Sequence, residues 1–136
     1  MILEAYLFFY GRCEEALEFY QQALGGTYQL RRNGEMPEES RPPMPEGWER
    51  KVMHATFEGP GFRFMASDGP VPSEIDAQAG NITLSLGCED PAEGGRVFAA
   101  LAEGGTVKVP LSPVSWGGSF GVLHDRFGIE WMMTTS

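Results

Sequence analysis

Apolar and polar positions along the chain change their period several times, and the same order of changes occurs twice. The chain opens with Ile2 to Tyr10, an aromatic and β-compatible run closed by Gly11, which predicts a strand. Helical spacing follows. Glu14 and Glu15 suit the N-terminal dipole, Leu17, Tyr20 and Leu24 recur on one face, and Gly25 offers a left-handed stop. The stretch GGTYQLRR then reads as a second strand. Two further runs, KVMHATF and FRFMAS, flank the turn sequence EGPG and predict a hairpin.

After the middle of the chain the order returns. NITLSLGC reads as a strand, and DPAE supplies Asp90 as N-cap, Pro91 at the first helical position and Glu93 for a capping box. Val97, Phe98 and Leu101 form the inward stripe of this helix, which stops at Gly104. GGTVKV follows, so that GGT at 25–27 is echoed at 104–106, and SFGVLH and GIEWMM flank the turn DRFG as a last hairpin. The plan is βαβββ twice, an α+β fold in one domain, 1–136, made of repeat units 1–80 and 81–136. Residues 33–50, NGEMPEESRPPMPEGWER, fit neither period and hold four of the ten prolines. They predict a long polar loop, a lid or dimer arm rather than a linker, because KVMHATF resumes the sheet directly afterwards.

Composition narrows the function. A chain of 136 residues with 42% hydrophobic and 21% charged positions is an ordinary globular domain. No apolar run approaches the roughly 18 residues of a membrane span, and MILEAYLFFYGR lacks the basic flank and cleavage site of a signal peptide, so a cytoplasmic protein is expected. The formal charge of −9 repels nucleic acid and anionic lipid. Cys13 and Cys88 lack the paired spacing of a zinc site and are expected as small buried or half-buried thiols; a nucleophilic role needs a base that neither neighbourhood supplies.

Four stretches taken together, YLFFYGRCEEALEFYQQALGG, NGEMPEE, HATFEGPGFRFMASD and SWGGSFGVLHDRFGIEWMM, cover nearly the whole chain. They resemble the PhnB-like branch of the vicinal oxygen chelate superfamily, which also holds glyoxalases and bleomycin-resistance proteins. The resemblance implies a cup-shaped mixed sheet, a homodimer, and in the superfamily's enzymes a divalent metal held by His, Gln or Glu side chains with positions open for two substrate oxygens. The branch is sometimes labelled methyltransferase-like. No Gly-rich turn leads from a strand into a helix here, so a cofactor site of that kind is not expected.

Aligned to the superfamily's pattern, the ligand of the first strand falls on Ala5, that of the second unit on Asn81, the carboxylate after the D-x-x-G turn on Met132, and a fourth ligand near Met65. Thioethers prefer soft ions, and a methyl group donates nothing. The resemblance thus implies a cup that keeps its shape without its metal.

Strand alternation assigns the cup lining. Asn81, Thr83 and Ser85 share one face while Ile82, Leu84 and Leu86 pack on the helix; Glu130, Met132 and Thr134 share another, and Ala5, Leu7 and Phe9 line it from the first strand. His54 suits acid/base work but reads better as a structural hydrogen-bonding residue. Glu130 is a candidate base that reads better as a solvated residue, and His124 has no evident partner. Asp68 and Asp125 read as turn-forming residues, with Gly128 at positive φ. Trp116 suits stacking at the mouth as well as packing.

Two functions of different classes follow. The first is a metal-free binding protein for a small organic compound, without cofactor, contacted by Phe9, Met65, Asn81, Thr83, Trp116 and Met132. The second is a metal-dependent lyase or isomerase of glyoxalase type in which His54, Glu130 and Asp68 improvise a ligand set.

Overall fold

The computed structural model describes residues 1–74 and 81–136. The chain divides into two compact units, Met1–Ile75 and Asp76–Ser136. The repeat boundary expected at 80/81 differs from this division only within residues 75–80, which lie outside the described residues.

The first unit runs β1 (Tyr6–Phe8), α1 (Cys13–Leu24), β2 (Thr27–Arg32), β3 (Val52–Gly59) and β4 (Phe62–Ser67), with the strands ordered β1-β4-β3-β2. β1 is parallel to β4 and the other pairs are antiparallel. The expected first strand of nine residues shrinks to three, because β1 is an edge strand and Met1, Ile2 and Leu3 find no partner and stay exposed. α1 starts beside Glu14 and Glu15 and ends at Gly25 with φ 74°, as its pattern predicts.

One face of this sheet carries the core. Leu17 and Tyr20 of α1 are fully buried with Phe9, Ala55, Phe57, Phe64 and Ala66. Tyr20 packs edge-on against Phe64 at 5.9 Å, and Phe57 stacks on Phe64 at 4.9 Å. Each such fully buried aromatic contributes about 1.5–3 kcal/mol of apolar burial.

The second unit repeats the order: β5 (Leu84–Cys88), α2 (Pro91–Ala102), β6 (Thr106–Pro113), β7 (Ser119–His124) and β8 (Glu130–Thr135), with strands ordered β5-β8-β7-β6. Asp90 caps α2 by accepting from the Ala92 N–H, but Glu93 completes no capping box; it pairs with Arg96 at 2.8 Å instead. A salt bridge to a flexible neighbour one turn on competes with the backbone N–H for the same carboxylate. Val97, Phe98 and Leu101 are buried as expected, together with Leu123, Trp131 and Met133. β5 begins at Leu84 rather than Asn81 because β8, its strand partner among the described residues, pairs with it from Trp131 onward. Ile82, expected under the helix, is accordingly 79% exposed.

Residues 33–50, expected as a long polar loop, contain short turns of their own. Three short 3₁₀ turns, Asn33–Glu35, Glu38–Ser40 and Trp48–Arg50, fold back on the first unit. The Asn33 side-chain amide donates to the Trp48 carbonyl, the Trp48 indole donates to the Gly69 carbonyl, and Arg41 caps the carbonyls of Met36 and Gly34. Asn33 and Trp48 are both buried, so this segment is pinned to its own unit.

Candidate functional site

In each sheet the helix takes one face and leaves the other open, and the open faces hold the candidate chemistry. In the first unit, strand register puts Arg31 beside His54, and Gln29 beside Thr56, which is beside Met65, which is beside Tyr6. The Tyr6 hydroxyl lies 3.0 Å from His54 Nδ1, and the two rings are 5.6 Å apart. Phe8 extends the aromatic row, 5.1 Å from Tyr6 and 6.2 Å from Tyr10. A hollow of about 400 Å³ over this face is lined by Gln29, Leu30, Arg31, Glu35, His54 and Thr56.

The parity of β1 differs from the expectation. Phe9, assigned to the lining, is fully buried 6.0 Å from Tyr20 on the helix side, where its area is worth more as core than as a solvent-facing contact. Ala5 shares that parity with Leu7 and Phe9, so Tyr6 and Phe8 are the rings that β1 presents to the open side. Met65 does stand on the open face, half-buried between Tyr6 and Thr56.

In the second unit Met132 lies on the open face between Ser85 and Val122, and Thr134 follows on the same side. Trp131, Met133 and Thr135 alternate to the buried side, as the pattern EWMMTT requires. At one end, Glu130 gathers a polar group. It accepts from the Thr83 hydroxyl, pairs with Lys108 at 2.9 Å and lies 2.9 Å from His124 Nε2. Sequence reasoning supplied Thr83, His124 and Glu130 separately; Lys108 was missed, although its place in the alternating TVKV is the signal. Asn81 and Trp116 join neither face as described: Asn81 is exposed ahead of β5, and Trp116, 77% exposed, sits at the β6–β7 turn.

The hydrogen bonds from Thr83 and Lys108 hold the Glu130 carboxyl down at about 2. A carboxylate held low by its partners is a weaker proton acceptor near neutrality than a free one. The depressed value has a stability consequence. Its contribution is fully present above the unfolded value of 4.5 and is lost as pH falls through about 2. Glu130→Gln should therefore melt below the wild type at neutral pH, with the gap closing under acid; thermal melts across that range check it, and a gap unchanged in strong acid would mean that the carboxylate is not the stabilising species.

Two other acidic residues are structural. Asp68 is 1% exposed and accepts from three backbone N–H groups, those of Gly11, Cys13 and Val52. Asp125 accepts from the Phe127 and Ile129 N–H groups of its own turn and from the Trp131 indole, while Gly128 takes φ 83°. The turn-forming role expected of Asp68 is therefore corrected: its carboxylate ties segments distant in sequence, while the local Gly69 N–H goes to the Ser67 hydroxyl. Burial, with the charges of Asp68 and Glu14, pushes the Cys13 thiol well above its ordinary range, which makes it an inert core residue.

A metal of the kind the superfamily's enzymes use does not fit these donors. Its aligned positions carry a methyl group, an exposed amide and two thioethers, and among the described residues no three His, Cys, Asp or Glu side chains converge. His54 and Glu130, the improvised alternatives, are already hydrogen-bonded to Tyr6 and to Thr83 and Lys108.

Comparison with known proteins agrees with the geometry. A protein-family model described as 3-demethylubiquinone-9 3-methyltransferase matches residues 2–134. Protein YjdN of Escherichia coli (strain K12) is 33% identical, over 98% of this chain and 94% of its own. The crystal structure of protein PA1353 from Pseudomonas aeruginosa has a TM-score of 0.84 at 39% identity, covering 100% of this chain and 98% of its own. A PhnB protein from Bacillus cereus, also described as a 3-demethylubiquinone-9 3-methyltransferase, has a TM-score of 0.79 at 29% identity over the full length of both chains. A glyoxalase-related enzyme from Fulvimarina pelagi, 17% identical with a TM-score of 0.61, shares the fold alone. Two βαβββ units of this topology, matched over their whole length by these relatives, establish that the chain belongs to the PhnB-like family and has the glyoxalase/bleomycin-resistance fold.

Proposed function

We propose that this chain binds a small organic molecule without the help of a metal. The observation that carries the reading is the donor set of the open faces. On the open face of the first unit Tyr6, Phe8 and Met65 offer rings and a thioether beside the neutral groups of Gln29 and Thr56; the second unit by itself offers Met132 beside Ser85, with the carboxylate of Glu130 occupied by protein partners. Rings and a thioether next to a hollow lined by hydrogen-bonding side chains combine the apolar and polar contacts that a ligand site uses.

Elemental analysis of the purified chain, followed by calorimetric titration with Zn²⁺, Ni²⁺, Mn²⁺ and Fe²⁺, tests this reading. No stoichiometric binding is expected. Met132→Glu should not create it either, because the aligned Ala5 still donates nothing. One tightly bound equivalent in the wild type would replace this reading with that of a metal-dependent lyase or isomerase.

The functional form is a homodimer in this reading. Met1, Ile2 and Leu3 each expose a large apolar side chain, the kind of surface that an interface covers. Sedimentation at micromolar concentration should give twice the mass of 15.0 kDa; a monomer there would discard the assignment.

A further inference from the structure

We propose that the open face of the first unit recognises a planar aromatic monocarboxylate, with Arg31 holding its charge and Tyr6 and Phe8 its ring. This rests on the small-molecule reading above and names the class of ligand.

Arg31 differs from most arginines of the chain in what it contacts. Arg12, Arg32, Arg63 and Arg96 are each set against a carboxylate. Among the described residues, no hydrogen bond or ion pair engages the Arg31 side chain, although it borders the hollow of about 400 Å³ and stands across from His54. On a chain with a net charge of −9, an uncompensated guanidinium in a hollow is the place where an anion is tolerated. Its planar fork matches a carboxylate in two parallel hydrogen bonds.

The rest of the face sets the body of the ligand. The Tyr6 hydroxyl occupies His54 Nδ1, leaving Nε2 as the ring nitrogen available to a bound molecule. Tyr6 and Phe8 stand on β1, the opposite edge of the sheet from β2 and Arg31, with ring centres 5.1 Å apart, and Met65 sits beside Tyr6, all three outside the residues that line the hollow. Charge at one end and rings along the other select an amphipathic planar anion. Glu35 also borders the hollow, its carboxylate accepting from the Arg32 N–H, and it disfavours a second negative charge on the ligand.

Naphthoate and naphthamide, alike in shape and different in charge, are the probes, titrated calorimetrically into the full chain at low ionic strength. Naphthoate should bind about tenfold more tightly than naphthamide. Arg31→Gln should bring naphthoate down to the level of naphthamide and leave naphthamide unchanged. Arg63→Gln, on the same face but paired with Glu4 and Glu58, should alter neither. Tyr6→Ala should weaken both. Equal binding of acid and amide, insensitive to Arg31→Gln, overturns the carboxylate assignment while the binding reading stands. Binding of neither probe also overturns it, and a thermal-shift screen of neutral and cationic aromatics then decides the binding reading separately.

Discussion

Asp68→Ala is expected to lower the unfolding free energy by about 3–5 kcal/mol, because it strands several buried donors at once. One carboxylate oxygen accepts from Gly11 and Cys13 at 2.7 and 2.8 Å, and the other accepts from Val52 at 2.8 Å. The residue therefore ties together the turn after β1, the start of α1 and the start of β3. α1 has no other side-chain cap, since Arg12 at the N-cap makes no such bond. An alanine leaves these N–H groups facing a void, whereas asparagine keeps one oxygen and turns an amide donor toward another donor. Asp68→Asn should thus recover only part of the loss. Urea denaturation with both variants checks the ordering, and a loss below about 1 kcal/mol for alanine would mean that water takes over the three bonds.

Phe57→Ala is expected to cost about 3–5 kcal/mol, the usual range for an aromatic deleted from a packed core. Phe57 is fully buried, stacks on Phe64 at 4.9 Å and lies 6.1 Å from Phe62. Its strand neighbours on the opposite face are His54, Thr56 and Glu58. Loss of the ring therefore loosens the backing of the open face as well as the core. Thr56→Ala is the contrasting variant: it removes a half-buried hydroxyl, should change stability by less than about 1 kcal/mol, and should affect only ligand affinity. Denaturant melts of the two variants side by side read the difference. Equal losses would show that the two faces of β3 are not energetically separate.

Much of this architecture is legible in the linear pattern because it depends on local periodicity. The Leu17, Tyr20 and Leu24 stripe, the Gly25 stop, the Asp90 cap and both hairpin turns are set by neighbours a few residues away. The site was less legible. Alternation assigned Met132 and Thr134 to the open side of β8, but the same rule applied to β1 started one residue out of phase and placed Phe9 there. The first strand is apolar at nearly every position, and its one charged mark, Glu4, which shares the parity of Tyr6 and Phe8, was not used to fix which parity faces the helix. β2, with TYQLRR, carries that mark and pairs with β3, and it would have supplied Gln29 and Arg31.

The sequence by itself determined the repeated βαβββ order, the helices and their buried stripes, the acidic balance, and the absence of nitrogen and oxygen donors at Ala5, Met65 and Met132. Tertiary structure alone decided which carboxylates are free to act. Asp68 and Glu130 look alike in the chain, yet one is buried under three backbone donors and the other is held by Thr83 and Lys108. It also left Arg31 uncompensated among the described residues while its neighbour Arg32 found Glu14. The physical reason is that a side chain's charge and hydrogen-bonding capacity are spent on partners brought near by strand pairing and helix packing, and those partners lie tens of residues away in sequence.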